Sequence, residues 1–394
     1  MNRLRLIYCA NMRLPTEKAH GLQIMQNCEA FAQNGAQVTL YAARRINSPQ
    51  MRAVTDPFAH YGVNACFQIK RIACLDLYPI LERFSSVAAF GLQAFTYTLF
   101  LFLTMLFRRA DVYYSRDVYS LLALSLIKPR RKLVYEAHQL NHTRLGKRLQ
   151  SVCVRRVGLT AAVTEILAEE LRARGGARVI AAPDGFSAAR FGALPSQASA
   201  RDKLDLPDDL FLVGYVGRLH TMGMSKGLET LIDAAARCRR AVGVCIVGGP
   251  DHMAAALAER WRKSGLPADW FVRAGQVSPT MIPLYLAAFD VCALTSPYTE
   301  FFAHHASPLK LFEYMAAGGV IVASDLPANR EIVREGETAL LYPPDSPDAL
   351  AEVLRRLYDD AELRSDLGRR AKQAAAQYTW EARAGTILKA ALGA

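Results

Sequence analysis

The residues with the clearest capacity for chemistry lie in the stretch 307–327, SPLKLFEYMAAGGVIVASDLP. Ser307 suits the capping position of a helix, and Pro308 suits the first helical position, where a missing N–H costs nothing. Lys310 then lies in the first turn, and Glu313 follows three residues later on the same face. Because backbone N–H groups at a helix N-terminus attract anions and Lys310 adds a full positive charge, the stretch predicts a phosphate site.

Glu313 lies about one turn from that phosphate, and its carboxylate can accept hydrogen bonds from two neighbouring hydroxyls, as a nucleotide ribose offers. The alternative is an ordinary capped helix with a solvent-exposed Lys310–Glu313 pair, which stabilises by only roughly 0.2–0.5 kcal/mol. Gly318 and Gly319 end the helix, and residues 320–323 form a short apolar run typical of a buried strand. The stretch therefore predicts a helix that feeds a parallel sheet.

A second group of cations follows the predicted strand 211–216, in the sequence GRLHTMGMSKG. Gly217 permits a close backbone approach, and Arg218 and Lys226 supply two positive charges at the start of a helix expected over 225–239. A strand, a glycine turn and two cations suit a diphosphate. The sequence lacks G-x-x-x-x-G-K-[ST], which excludes a nucleoside triphosphatase P-loop, and the alternative is a solvent-exposed loop with two surface cations.

Candidate residues in the first half of the chain follow two predicted strands. His138 comes directly after strand 133–137, and the loop after strand 4–10 leads to His20 and Gly21. Ligands of a doubly wound fold bind at the carboxyl ends of its strands, so these residues are expected to face the same cleft. The alternatives are a histidine of the protein core and an ordinary exposed loop.

The elements that must hold these residues alternate between strands and helices in both halves of the chain. With 394 residues and a 52% hydrophobic composition, the chain can bury a large core, and its length suggests two domains. The expected strands are 4–10, 38–42, 67–72, 111–115, 133–137, 158–164, 178–182, 211–216, 242–247, 271–274, 290–294 and 320–323. Residues 187–208, rich in Ala, Ser, Pro and Asp, are expected to be a hinge and an exposed connection. The alternation predicts an α/β protein with two doubly wound domains around a cleft.

The eight cysteines mostly lie in apolar runs and include no C-x-x-C pair. This usage predicts reduced, buried thiols in a cytoplasmic protein and gives no indication of a structural zinc or a disulfide framework. The N-terminal sequence MNRLRLIYCAN enters a strand pattern at once, so it predicts no signal peptide.

The formal net charge of +12 is unevenly distributed along the chain. Residues 1–195 contain 26 Lys+Arg against 12 Asp+Glu, whereas the remainder contains 22 against 24. The first half therefore carries +14 and the second half −2. This asymmetry favours a polyanionic partner for the first half, either an anionic membrane surface or nucleic acid, and the alternative is a basic but merely soluble domain.

An apolar run of 24 residues without a charged side chain spans 84–107 and ends in Arg108 and Arg109. Its length would cross a bilayer. However, a predicted strand follows within a few residues, and a span would place parts of one sheet on opposite sides of the membrane. We expect instead a helix that packs on the sheet and offers one face to the lipid interface.

The helix expected over 143–157 is rich in basic residues, namely Arg144, Lys147, Arg148, Arg155 and Arg156. These side chains are suited to contact phosphates or anionic lipid. The alternative is a solvated basic face.

Taken together, several motifs resemble the retaining glycosyltransferases of family 4, and the resemblance covers nearly the whole chain. The motifs are VGRL at 216–219 with Lys226–Gly227, PDGFSAARF at 183–191, VGG at 247–249, AGQV at 274–277, FDVCALTS at 289–296, the stretch 307–327 with its SPxKxxEYMAxG pattern, and YTWEARA at 378–384. The resemblance implies the GT-B fold, in which two Rossmann-like domains face a central cleft. It implies an acceptor domain at 1–187, a nucleotide-sugar donor domain at 188–376, and a helix at 377–394 that packs back on the first domain.

The same resemblance implies transfer of a sugar from a nucleoside diphosphate sugar, with UDP or GDP as the nucleotide, and with retention of the anomeric configuration. The acceptor would be a glycan or a lipid-linked molecule, as in the synthesis of cell-surface polysaccharide or glycolipid. No cofactor or metal is expected, because cations and helix dipoles would neutralise the departing diphosphate.

The site residues that the resemblance implies fall into three groups. The catalytic group is His138, Arg218 and Lys226. The donor-binding group is Gly217, Arg218, Lys226, Ser307, Pro308, Leu309, Lys310 and Glu313, with Glu313 on the ribose. The acceptor-side group is His20 and Gly21.

The chain departs from the family pattern at three places. His305 stands eight positions before Glu313, where family members commonly carry a glutamate, so the contacts to the hydroxyls of the donor sugar are unassigned, as are the roles of Glu300 and His304. The spacing from Arg218 to Lys226 is longer than the usual G-R-x-x-x-x-K-G. The glycine-rich turn after the first strand is reduced to Gly21.

We expect a cytoplasmic enzyme that lies peripherally on the inner face of the cell membrane and does not bind nucleic acid. Two other functions fit parts of the pattern. One is a GT-B epimerase that acts on the nucleotide sugar alone, and the other is a non-catalytic protein that binds polyanions through its basic half.

Overall fold

The structure is a computed structural model that describes residues 3–221 and 223–393; within these, the side chains of residues 78–84 and 86 are not described. Met222, part of the predicted diphosphate loop, lies outside the described residues. The chain divides into two compact units: one runs to Pro183 and also includes the segment from Trp380 onward, and the other is Asp184–Thr379.

The described part of the first unit contains a parallel sheet in the order β3-β2-β1-β4-β5-β6-β7. Its strands are β1 Arg5–Ala10, β2 Gln37–Ala43, β3 Gln68–Ile72, β4 Val112–Ser115, β5 Leu133–Ala137, β6 Leu159–Ala162 and β7 Val179–Ala181. The central strands are buried along nearly their whole length, because helices cover the sheet as they do in doubly wound folds. The strand order changes direction between β1 and β4, which is where ligands of such sheets bind.

The helices of the first unit are α1 Ala19–Gln33, α2 Pro49–Arg52, α3 Pro57–Tyr61, α4 Tyr78–Leu106, α5 Val118–Leu124, α6 Arg144–Arg156 and α7 Glu165–Ala173. Asp117 caps α5 and Thr143 caps α6, each by accepting hydrogen bonds from backbone N–H groups of the first turn. Helix α4 contains residues 84–106 of the apolar run at 84–107, and it begins earlier than that run.

The second unit is built on a parallel sheet of its own, with the order β12-β11-β8-β13-β14-β15. Its elements begin with α8 Gln197–Leu204, β8 Phe211–Val216, β9 His220–Thr221, β10 Met224–Ser225, α9 Leu228–Cys238, β11 Val242–Val247, α10 Asp251–Lys263 and β12 Phe271–Gly275. They continue with α11 Ile282–Ala288, β13 Val291–Leu294, α12 Leu309–Ala317, β14 Ile321–Ser324, α13 Pro327–Arg330, β15 Leu340–Tyr342, α14 Pro347–Asp359 and α15 Ala361–Ala375.

The structure corrects two expectations in the second unit. Helix α9 begins at Leu228 rather than at residue 225, because Met224–Ser225 pairs antiparallel with His220–Thr221. The connection 187–208 is not wholly exposed, since it contains α8, whose Arg201 is buried and hydrogen-bonded to Asp290 and to the carbonyl of Ala288.

The last helix, α16 Trp380–Leu392, belongs to the first unit and packs on α1. Its Arg383 is buried and donates to the carbonyl oxygens of Ala182 and Pro183, and Asn34 donates to the carbonyl oxygen of Glu381. These hydrogen bonds hold the end of the chain against the first sheet.

Candidate functional site

The first cluster of polar residues lies at the carboxyl ends of β1, β4 and β5 and centres on Glu136. The Glu136 side chain has no exposed area, and it accepts hydrogen bonds from the Tyr8 hydroxyl at 2.9 Å and from Gln23 Nε2 at 2.6 Å. Arg383 Nη2 lies 2.8 Å from the same carboxylate. Burial alone would raise the pKa of Glu136, but the charges of Arg383, His138 and Arg116 outweigh burial and hold the pKa well below its usual range.

His138 is hydrogen-bonded to the Glu136 carboxylate, with its Nε2 3.0 Å from Glu136 Oε1. The ring is half-buried. A carboxylate that binds one ring nitrogen fixes the orientation of the ring. The sequence prediction that His138 stands at the carboxyl end of its strand is in accord with this geometry.

His20 lies in the first turn of α1 and is partly exposed. Burial, together with the nearby charges of Arg116 and Lys18, lowers the pKa of His20 to about 4. His20 is therefore neutral at physiological pH and can donate and accept hydrogen bonds. His138 contributes to the lowered pKa of His20 in the same direction.

Gly21 is buried within the same turn and does not form an open loop. A Cβ atom at Gly21 would lie 2.5 Å from the Tyr61 hydroxyl and 2.6 Å from Thr16 Cγ2. The Tyr61 hydroxyl in turn accepts from the backbone N–H of Thr16 and donates to its carbonyl oxygen. The glycine is therefore required for the close packing of the segment before α1, and it acts on the site through His20 beside it.

Sequence reasoning missed several residues of this first cluster. Arg116 follows β4 at its carboxyl end and lies 2.5 Å from Gln23 Oε1. Gln23 and Asn27 share a face of α1 with His20 at positions three and seven residues later, a spacing that was visible in the sequence. For Arg383 the sequence indicated only membership of the YTWEARA motif and no contact with Glu136.

The second cluster lies at the carboxyl end of β8 and the start of α12, in the other unit. Lys310 Nζ donates to the Tyr215 hydroxyl and lies 3.8 Å from the centre of the Tyr215 ring. The same hydroxyl donates to the carbonyl oxygen of Arg218 at 2.6 Å. Tyr215, which the sequence prediction missed, thus ties two of the predicted donor-binding residues together.

Gly217 leaves open the space beside the Lys310 ammonium. Its φ of 130° is in the region that favours glycine, and a Cβ atom there would lie 3.0 Å from Lys310 Nζ. Gly217 therefore permits the predicted close approach, because any larger residue would place its Cβ atom against the Lys310 ammonium. The Arg218 side chain is exposed at this edge of the sheet.

Lys226 is the second lysine of this cluster, and its Nζ lies 4.1 Å from the centre of the Phe302 ring. Burial lowers the pKa of Lys226 to about 8. Burial also holds the pKa of Lys310 well below its usual range, and the positive charge of Lys226 lowers it further, while Glu313 acts in the opposite direction. No described carboxylate forms an ion pair with either lysine, and both lysines are only partly exposed to water.

Glu313 forms an ion pair with Arg190, whose Nη1 lies 3.1 Å from Oε1. The alternative of a solvent-exposed Lys310–Glu313 pair is therefore wrong, because the Glu313 side chain is only 15% exposed and its partner comes from the PDGFSAARF motif. Burial raises the pKa of Glu313, and Arg190 and then Lys310 reduce that rise. Arg190 also donates to the carbonyl oxygen of Pro279, which fixes the guanidinium.

The start of α12 differs in detail from the expectation. Pro308 is the capping residue and Leu309 the first helical residue, and no side chain among the described residues caps the helix. Ser307 instead accepts a hydrogen bond from the backbone N–H of Asp184 at 2.9 Å. The Leu311 N–H donates to the carbonyl oxygen of Pro308, and no described side chain caps the N–H groups of Leu309 and Lys310, which suits an anion.

The segment before α12 contains a π-helical turn, Phe301–His305. His305 is buried in it, and its neighbour His304 pairs with Glu300 at 3.2 Å. The turn places Phe302 against Lys226. It therefore shapes the cluster chiefly through the aromatic ring, which shields this lysine from water.

A comparison with known protein families finds a match within the second unit. Residues 211–360 match the family model described as "Glycosyl transferases group 1". The matched residues include Gly217, Arg218, Lys226 and the whole of α12. The resemblance inferred from the motifs is confirmed at this level, as a glycosyltransferase group 1 domain, and the narrower subgroup stays a prediction.

A curated relative is D-inositol 3-phosphate glycosyltransferase of Kineococcus radiotolerans, 29% identical over 232 residues, or 54% of this chain and 51% of that protein. Another is alpha-D-kanosaminyltransferase of Streptomyces kanamyceticus, 28% identical over 177 residues, or 44% of this chain and 43% of that protein. The chain spans about half the length of the curated relatives it matches.

Among solved structures, the chain is similar to Alr3699/HepE of Anabaena in complex with UDP, with a TM-score of 0.73 and 17% identity over 99% of this chain and 100% of that one. This likeness shows the fold. It confirms the predicted fold class, a GT-B architecture built from two parallel α/β units.

Proposed function

We propose that this protein is a retaining glycosyltransferase that transfers a sugar from a nucleoside diphosphate sugar to a glycan or lipid-linked acceptor without a metal. One observation carries the proposal: Lys226 and Lys310 each pack over an aromatic ring, partly shielded from water, and neither forms an ion pair with a described carboxylate. Such charges are unfavourable until an anion binds to the lysines. The group 1 match over the same residues supports a diphosphate as that anion.

The donor diphosphate would be held by the two lysines, by Arg218 and by the N–H groups at the start of α12. As the bond from the sugar to the diphosphate breaks, negative charge grows on the departing phosphate oxygens. Positive charges already in place stabilise that charge without reorganisation, which is the largest effect available to a transferase of this kind. They supply the role that a divalent cation would otherwise fill.

Glu313 would accept hydrogen bonds from the two ribose hydroxyls of the nucleotide. Arg190 donates to the Glu313 carboxylate and offsets part of the rise in its pKa that burial causes, which favours the charged form that accepts hydrogen bonds. UDP and GDP offer the same ribose and diphosphate, and both stay in the proposal. The bound UDP of Alr3699/HepE, a protein of the same fold, supports UDP as the first nucleotide to test.

His138 and His20 would act on the sugar or the acceptor from the first unit. Both are half-buried at the carboxyl edge of their sheet, and His20 is neutral because its pKa is lowered to about 4. A neutral imidazole can donate to or accept from a sugar hydroxyl. Glu136 holds the His138 ring for that contact.

The test begins with the thermal stability of the whole chain in the presence of UDP, GDP, ADP and their sugars. A ligand that binds only the folded protein raises the melting temperature. The nucleotide that does so is then supplied as its sugar with candidate glycan and lipid acceptors, in the presence of EDTA, and the anomeric configuration of the product is determined. A product with the donor's configuration, formed in EDTA, is expected.

Other outcomes would overturn this proposal. A nucleotide sugar that is converted with no acceptor present would identify an epimerase. Stabilisation by polyphosphate or nucleic acid, with none by any nucleotide sugar, would identify a protein that binds polyanions without catalysis.

A further inference from the structure

Helix α4 carries apolar side chains on two opposite faces. Its inner face repeats every fourth residue and is buried against the first unit, through Ala89, Gln93, Tyr97, Leu101 and Met105. The outer side, which we call the α4 face, exposes Val87, Phe90, Phe95, Leu99, Leu103 and Leu106 of the helix together with Phe107, which directly follows it. Phe95 is 66% and Phe107 87% exposed. A contiguous apolar surface of this length is costly in water and marks an interaction site.

The length and composition of Val87–Leu106 would allow it to cross a membrane, but its inner face is tied to the rest of the unit. Gln93 Nε2 donates to Asn11 Oδ1 at 2.8 Å, and the Tyr97 hydroxyl donates to the carbonyl oxygen of Tyr41 at 3.2 Å. Insertion across a bilayer would break both hydrogen bonds and uncover the sheet. The helix therefore offers its outer face alone to a partner.

The chain around the α4 face is strongly basic. Residues 84–156 contain 12 Lys+Arg and three Asp+Glu. Each of the three acidic side chains is engaged within the unit: Asp117 caps α5, Glu136 is fully buried, and Asp111 pairs with Lys132 at 3.5 Å. The surface beside the apolar face therefore carries positive charge that these acids do not offset.

Two hydrogen bonds bring basic residues to the C-terminal end of α4. Lys128 Nζ donates to the carbonyl oxygen of Arg108 at 2.8 Å, and Lys132 Nζ donates to that of Ala110 at 2.7 Å. Arg108 and Arg109 are exposed at the same place. On the other side, α5 packs between α4 and α6, and α6 exposes the basic side chains Arg144, Lys147 and Arg148.

We propose that the α4 face docks on an anionic lipid bilayer, with Phe95 and Phe107 in the interfacial layer and the basic residues on lipid headgroups. An apolar face bordered by Lys and Arg, with the three acids of residues 84–156 engaged within the unit, is the pattern of an interfacial helix. A second copy of the chain fits poorly, because a two-fold contact would bring two borders of the same sign together. The cytoplasmic leaflet is the membrane surface rich in anionic lipid, so we place the protein there.

The docking is independent of the transfer reaction proposed above, and it would bring the first unit to lipid-linked acceptors. Its test is flotation of the whole chain with vesicles of phosphatidylcholine, either alone or with roughly one third phosphatidylglycerol. Binding to the anionic vesicles is expected to exceed binding to the neutral ones and to fall at high salt.

Phe95→Ser with Phe107→Ser is expected to weaken binding to the anionic vesicles by about tenfold or more, because two aromatic side chains no longer leave water. Both residues are exposed, so the fold should be unaffected. The matched control is Met281→Ser with Tyr298→Ser, two exposed apolar residues of the second unit, which should bind as the wild type does.

Arg108→Gln with Arg109→Gln is expected to weaken the same binding by about fivefold for each charge. Arg334→Gln with Lys263→Gln, two exposed residues of the second unit, removes the same number of charges and should have no effect. The nucleotide-induced stabilisation should be equal in all four variants, which separates a failure of docking from a failure of the proposed function.

Any one of four results would overturn the docking proposal. These are equal binding of the wild type to neutral and anionic vesicles, undiminished binding of the Phe95/Phe107 variant, a dimer without lipid that this variant dissociates, or retention in the membrane after extraction with alkaline carbonate. The third would assign the α4 face to a second copy, and the fourth would assign a membrane span.

Discussion

The two polar clusters differ in how their charges are balanced. In the first unit, the Glu136 carboxylate is surrounded by donors and cations, and the Arg383 side chain that faces it is only 3% exposed. In the second unit, Lys226 packs over the Phe302 ring and Lys310 over the Tyr215 ring, and neither forms an ion pair with a described carboxylate. The first cluster is complete in the folded protein, whereas the second becomes favourable only when an anion arrives.

This difference separates structural roles from binding roles. Removal of a charge from a complete network exposes an uncompensated partner and destabilises the fold. Removal of a charge from a network that lacks its counter-charge relieves repulsion, so it lowers the affinity for the anion rather than the stability of the fold. Substitutions in the two clusters should therefore produce opposite patterns of stability and affinity.

The largest expected effect is on folding, from Glu136→Gln. The substitution removes the buried carboxylate that pairs with Arg383 and accepts from Tyr8 and Gln23, so the free energy of unfolding should fall by about 3–5 kcal/mol. Urea denaturation followed by circular dichroism measures it. Glu165→Gln, which removes an exposed pair with Arg172, is the control and should change stability by at most about 1 kcal/mol. Equal effects of the two substitutions would show that the first cluster is not a closed network.

The next effect is on nucleotide binding, from Lys310→Met. Loss of a charged contact to the diphosphate should weaken UDP or GDP binding by about ten- to a hundredfold, while the unfolding free energy stays unchanged or rises. Calorimetric titration and urea denaturation measure the two quantities on the same variant. The matched control is Lys263→Met, an exposed lysine of the same unit. A loss of stability without a loss of affinity would contradict an incomplete second cluster.

The pH dependence of nucleotide binding should follow Lys226. In the free protein burial lowers the pKa of Lys226 to about 8, and a bound diphosphate raises it. Below pH 8 the lysine is charged in both states, and binding is independent of its titration. Above pH 8 binding must take up a proton, so affinity should fall by about tenfold per pH unit. Lys226→Arg should remove the part of this fall that Lys226 supplies and leave the part due to Lys310, whose pKa is also lowered, and an unchanged profile in that variant would assign the titration elsewhere.

The smallest effect is expected from Arg190→Gln. Without Arg190, the already raised pKa of Glu313 rises further, and the carboxylate loses its fixed orientation. Affinity for the whole nucleotide should fall by about fivefold to tenfold, whereas affinity for pyrophosphate, which has no ribose, should stay unchanged. Competition experiments with both ligands give this comparison. An equal loss for the two would place Arg190 on the diphosphate.

Much of the framework was predictable, because the sequence alternates apolar runs of strand length with helical segments. The strands Phe211–Val216 and Val242–Val247 and the end of α12 at Gly318 agree with the sequence prediction. Helix starts were harder to predict. At α9 a two-stranded pairing displaces the start by three residues, and at α12 Ser307 bonds to a residue far away in the chain rather than capping the helix.

By itself the sequence determined which charges stand after which strands: His138 after β5, Arg218 and Lys226 after β8, and Lys310 and Glu313 at the start of α12. These placements follow from local patterns, since strand and helix periods act over a few residues. The tertiary structure decided the partners. Glu313 pairs with Arg190 across 123 residues of chain, and Glu136 pairs with Arg383 across 247. A charge meets its partner through packing of distant elements, which no local period encodes, so whether each cluster is complete or waits for a ligand became visible only in the fold.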